Sequence, residues 1–168
     1  MTDNLQNLSE AAIKEAIRIE EDCIFSAKSH FNASDVWLHR HYYIGVPATL
    51  LGAAAGAAFV KNQTEFAAIF SLVSTILTGL TTFLKPSEKA SLHKSIGDQY
   101  LSLRNDARIF REIEISTLTK AATIQEGVKS LSKRRSSLNQ GSPQIPRKAF
   151  EKARLGIEQG EAKYAADN

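Results

Sequence analysis

The chain has 168 residues, enough for one domain, and its 21 basic and 18 acidic side chains leave a formal net charge of +3. Its mean hydropathy of −0.22 is that of a soluble protein, but the average conceals two blocks of 19 residues, 42–60 and 66–84, that hold no Asp, Glu, Lys, Arg or His. One cysteine, Cys23, excludes an internal disulfide and fits a reducing cytosol.

Before the blocks, residues 9–31 carry Ile13, Ile17, Ile24, Ala27 and Phe31 close to helical spacing, with Lys14, Arg18, Glu21 and Lys28 between them. This pattern predicts an amphipathic helix. Asn32, Ser34 and Asp35 are turn and cap residues, and predict a bend. No signal peptide is expected ahead of the first block, which starts some forty residues into the sequence after a charged, amphipathic stretch. The blocks are therefore expected to stay in the membrane as anchors. Trp37, Tyr42 and Tyr43 stand where an interfacial aromatic belt belongs, with His39, Arg40 and His41 beside them.

Each block forms a helix about 28 Å long at a rise of about 1.5 Å per residue, against a hydrocarbon core of about 30 Å. A buried pair in a soluble bundle is the alternative, but a soluble surface helix carries charge on its outer face, and these blocks carry none. The first block contains Gly52 and Gly56 four apart, with Ala48 one turn earlier. Such a stripe lets another helix approach closely, either in the same chain or in a second copy. Pro47 predicts a bend in this helix. Five residues, 61–65, connect the blocks and suit a tight turn. In the second block Ser71, Ser74, Thr75, Thr78 and Thr82 form one hydroxyl stripe. It serves either as interhelical hydrogen bonding or as the lining of a water-filled pore. Two helices cannot enclose a pore, so the second reading requires an oligomer. Neither block holds the buried charge that a coupled pump needs.

Pro86 ends the second helix, and Ser87 is expected to cap a new one with Glu88 in its first turn. Ile96, Tyr100, Leu103, Ala107 and Phe110 then recur at steps of four, three, four and three. This is a heptad-like seam, expected to join copies of the chain. Leu118, Ile124, Val128, Leu131 and Leu138 extend it, with a break expected near Gly127. Residues 139–146 (NQGSPQIP) read as a linker. A last helix is expected from Arg147 to Tyr164, with Phe150, Ala153, Ile157 and Tyr164 on one face.

Residues 129–154 hold Lys129, Lys133, Arg134, Arg135, Arg147, Lys148, Lys152 and Arg154 against Glu151 alone. That segment is net +7, and the remainder of the chain is net −4. Such a cluster is a candidate anion site for lipid headgroups, a nucleotide or a nucleic acid. Arg134, Arg135, Arg147 and Lys148 flank the linker, which could close them around one ligand. A solvated helix surface is the plainer alternative. Lys28, Arg40, Lys85, Lys89 and Lys94 flank the two blocks on one side and only Lys61 on the other, which places both termini in the cytoplasm. No nucleotide-binding loop, zinc-protease motif or paired carboxylates appear. The expectation is no catalytic residue, no metal and no cofactor; His39 and His41, two apart, point to nearly opposite sides of a helix.

The expected fold is all-α: an N-terminal amphipathic helix (1–34), a two-span transmembrane hairpin (35–85), a long cytosolic helix (86–138), and a linker with a short basic helix (139–168). This order of parts resembles the SLATT domain proteins over about residues 10–115. The resemblance is carried by His41-Tyr42-Tyr43 entering the first span, by Phe83-Leu84-Lys85-Pro86-Ser87-Glu88-Lys89-Ala90-Ser91-Leu92-His93 and by Gln99-Tyr100-Leu101-Ser102-Leu103-Arg104. It implies a pore-forming effector of bacterial anti-phage defence in the inner membrane. Its partners would be the bilayer, further copies of itself, and a nucleotide or oligonucleotide signal made by a neighbouring nucleotidyltransferase. The alternatives are a membrane-anchored cytosolic binding module and a holin-like lesion former.

Overall fold

The computed structural model describes residues 2–163, with side chains from Leu5 onward. The described residues form helices and no strand. They are α1 (Thr2–Val60), α2 (Thr64–Leu84), α3 (Pro86–Ile109), a π-helical turn (Phe110–Glu114), α4 (Ile115–Thr117), α5 (Ala121–Gly141) and α6 (Arg147–Glu158). They fall into two compact units. One is a helical bundle of Met1–Ala33 and His93–Asn168, and the other is Ser34–Leu92.

In the bundle, α1 buries Ala12, Ala16, Ile19, Cys23 and Ala27 against Ile96, Tyr100, Leu103 and Ala107 of α3, together with Phe110, Ile115, Ile124 and Leu131. The seam of α3 is thus closed inside the chain, by α1 and α5, rather than between copies. The face that α1 buries is also rotated from the expected one: Ile17 is exposed, and Ile13 and Ile24 stay on the flank. Alanines at the contact let helix axes approach closely, and larger neighbours then cover the edges of the joint. Helix α6 repeats the arrangement, burying Ala149, Ala153 and Gly156 and leaving Phe150 exposed. It ends at Glu158, and Tyr164 lies outside the described residues.

Two expected interruptions fall elsewhere. Asn32 and Ser34 cap nothing, because α1 runs through them; Asn32 Nδ2 donates to the Ala149 carbonyl, and Ser34 Oγ donates to the Ala90 carbonyl. Gly127 lies within α5 rather than at a break; a β-carbon there would run into the Phe110 ring, so this glycine allows a close approach. The break in the long C-terminal helix comes earlier, at the π-helical turn and the extended residues after Thr117.

In the second unit, α1 continues through Pro47 to Val60 and turns at Asn62, whose φ is 57°. Helix α2 runs back alongside, with Ser74 Oγ donating to the Ala48 carbonyl at 2.8 Å. Lys85, in the left-handed region, closes α2 through its N–H to the Thr81 carbonyl. Pro86 opens α3, where its fixed φ and missing N–H suit a first turn. Ser87 therefore lies inside α3 instead of capping it. Both helices are long and apolar enough to cross a bilayer, and only 11% and 6% of their most apolar stretches are buried. A core helix of a soluble protein hides most of such a stretch.

Candidate functional site

The pair formed by α2 and the C-terminal part of α1 has two unlike sides. Its joint consists of Ala48 and Ala58 on α1 and of Ala67 and Ser74 on α2. To one side of the joint, Gly45, Thr49, Gly52 and Gly56 recur at steps of four, three and four along α1. Ser71, Thr75, Thr78 and Thr82 recur at the same steps along α2. At about 100° per residue each set is one stripe. The glycine stripe borders the joint at Gly52, where a β-carbon would sit 3.3 Å from Ser74 Oγ, while open space stands beside Gly45 and Gly56. The other side is bulky and apolar, with Val46, Leu50, Ile69, Ile76, Leu80 and Phe83 all exposed, Phe83 by 86%.

The hydroxyls divide their work. Ser74 bonds across the joint. Thr75 donates to the Ser71 carbonyl and Thr82 to the Thr78 carbonyl, which satisfies their protons without a partner helix. Their oxygens keep lone pairs that can accept from water. Gly52 meets the joint and Gly56 does not, so the glycine motif is only half used within the chain. At the lower end of the pair, Arg40 and Lys89 stack over Trp37 at 4.5 and 4.4 Å. A Trp flanked by cations suits the level of lipid headgroups.

In the bundle, the arginines of the basic segment pair with carboxylates. Arg135 pairs with Asp22 at 2.7 Å, and Arg134 with Asp106. Arg147 pairs with Glu151 and Arg154 with Glu158. Half of the eight bases are thus answered by carboxylates, two of them from α1 and α3. Among the described residues, Lys129, Lys133, Lys148 and Lys152 form no ion pair. Lys148 and Lys152 line a groove of about 480 Å³ with Lys28 and Asn32, in which Glu161 pairs with Lys28. Lys133 lines another, of about 330 Å³, beside Gln99 and Ser102. Cys23 is buried in the core, and burial pushes its thiol up to about 12.

One constellation is invisible along the sequence. His30 of α1 and His93 of α3, 63 residues apart, meet in the bundle with their Nδ1 atoms 2.8 Å apart. Both are buried, exposed by 1% and 3%. The ring of Tyr100 stacks on His30 at 5.7 Å, and its hydroxyl donates to Asn139 Oδ1 at 2.7 Å. Ser29, next to His30, is buried with its hydroxyl unpartnered. Among the described residues no group of three metal-ligating side chains forms. The signal that could have found the pair is the placement of His30 and His93 on the same faces as Cys23 and Tyr100, at helical steps of seven.

Compared with protein-family models, with curated proteins and with solved structures, the chain matches none.

Proposed function

We propose that the chain is a subunit of an oligomeric membrane channel, its paired helices crossing a bacterial inner membrane and its bundle, with both termini, lying in the cytoplasm. One observation carries the reading, the two-sidedness of the helical pair. Bulky side chains suit lipid, while a hydroxyl stripe beside a glycine stripe suits water and a neighbouring helix. In the oligomer the open glycines Gly45 and Gly56 pack against the next subunit. Ser71, Thr75, Thr78 and Thr82 line the pore, with Ser74 held at its edge by Ala48. Lys28, Arg40, Lys85, Lys89 and Lys94 support the orientation.

The resemblance to SLATT proteins supports the narrower reading of a non-enzymatic effector of anti-phage defence. In that reading an anionic signal, a nucleotide or oligonucleotide, acts on the bundle. With Arg134 and Arg135 committed to Asp106 and Asp22, and Lys28 to Glu161, the signal would meet Lys148 and Lys152. A second reading is a membrane-anchored binding module. It is favoured by the completeness of the bundle, which buries its seam within one chain.

Cysteine substitution tests the pore wall, and the buried, high-pKa Cys23 gives a silent background. In planar bilayers, Thr78→Cys and Thr82→Cys channels are expected to be blocked by a water-soluble, membrane-impermeant thiol reagent. Ile76→Cys channels, with the thiol on the bulky side, are expected to be unaffected. Block at Ile76 and none at Thr78 or Thr82 would reverse the assignment of the two sides.

A further inference from the structure

The paired histidines lie where α1 and α3 leave the bundle: the unit boundaries fall after Ala33 and before His93. Each ring is desolvated, and a hydrogen bond between two Nδ1 atoms requires one to donate and the other to accept. The arrangement can therefore exist with both rings neutral. One added proton can be shared between the nitrogens only as a buried charge, and a second leaves two donors facing each other across 2.8 Å. The neighbours offer that charge no compensation. From α3, His30 faces His93 and Tyr100; from α5, Asn139 follows behind Tyr100, neutral. Among the described residues, neither ring has an Asp, Glu, Lys or Arg as a hydrogen-bond or ring-stacking partner.

We propose that the His30–His93 pair is an acid-released clasp: neutral, it joins α1 to α3 at this end of the bundle, and on protonation it lets them separate. The inference stands on the bundle alone and is independent of the channel reading. Burial first, and the neighbouring His93 second, push His30 down to about 4, and burial pushes His93 down as well. In the unfolded chain both rings titrate near 6.5. The folded pKa is depressed, so the unfolded chain binds protons that the folded bundle refuses. The stabilisation is complete above pH 6.5 and is lost as the pH falls from there toward 4. For His30 alone, the unfolding equilibrium should rise on the order of fiftyfold between pH 7 and pH 4.5.

The test uses the full chain in detergent micelles. Ring nitrogens of His30 and His93 are followed by NMR from pH 8 to pH 4, and urea unfolding is measured at pH 7 and pH 4.5. The expected result is that both rings stay neutral at pH 6. His30→Phe, which keeps an aromatic ring against Tyr100, should lose the His30 share of the wild-type pH dependence of unfolding, on the order of fiftyfold between pH 7 and pH 4.5. Should that variant fail to fold, the wild-type titration still decides. A His30 or His93 ring that titrates near 6.5 in the folded protein overturns the clasp. So does a folded His30→Phe variant with unchanged pH dependence.

Discussion

Replacing Ile76 by Asp is expected to keep the chain out of the bilayer, whereas Thr78→Asp, two residues away, is expected to insert and to favour cations in the pore. The two positions are about 200° apart around α2, so they point to opposite sides of the helical pair. Ile76 is exposed among Val46, Leu50, Ile69, Leu80 and Phe83, on the side assigned to lipid. An Asp at the centre of a lipid-facing helix costs about 2.5–3.5 kcal/mol on insertion scales. That corresponds to roughly a hundredfold loss in the inserted population. Thr78 belongs to the hydroxyl stripe, the proposed pore wall, where a carboxylate stays hydrated. Carbonate extraction of membranes measures insertion of each variant. Equal insertion of both would show that the two sides meet the same environment.

Leu103→Asp is expected to unfold the bundle rather than merely to reduce the mass of an oligomer. Leu103 is fully buried, in one core cluster with Ala16, Ile19, Cys23 and Ala107. A large apolar side chain buried there contributes on the order of 1.5–3 kcal/mol, and an unpaired buried carboxylate adds several kcal/mol of desolvation cost. Against a typical domain stability of about 5–15 kcal/mol, the sum approaches the whole. Leu103→Ala, which leaves a cavity and no charge, should cost about 2–5 kcal/mol. Helical circular dichroism and urea unfolding distinguish the cases. A Leu103→Asp protein that keeps wild-type helicity and stability while its mass falls would place the seam between copies after all.

The seam illustrates how far the sequence could be read. Ile96, Tyr100, Leu103, Ala107 and Phe110 are legible as one buried stripe, because helical period depends on local spacing alone. Their partner is not legible, since the face that covers them is written in Ala12, Ala16, Ile19 and Cys23, more than seventy residues earlier and built mostly of small side chains. The sequence pattern favours the large residues Ile13, Ile17 and Ile24, while close helix contact favours small ones. The same preference turns α6 onto Ala149, Ala153 and Gly156. Charge behaves likewise. The +7 segment is plain, but Asp22 and Asp106, which answer Arg135 and Arg134, are distant along the chain and ordinary in themselves. Asn32 and Ser34 read as caps because a short polar side chain beside a helix usually bonds its own backbone; here tertiary carbonyls take those bonds. The two apolar blocks were readable without any partner, because length and absence of charge are local properties. The His30–His93 pair is only half legible: the helical steps of seven from Cys23 and to Tyr100 place each ring on a buried face, but not against the other until α1 and α3 are set side by side.

The most direct test of the channel is the current carried by the purified, full-length protein in a planar bilayer. The expected result is unitary steps of uniform size, carried by an assembly of several copies. Protein that reconstitutes into the membrane and passes no current would contradict it and leave the paired helices as a tether. Irregular currents that grow without a unit step would contradict it as well, in favour of a lesion with no defined wall.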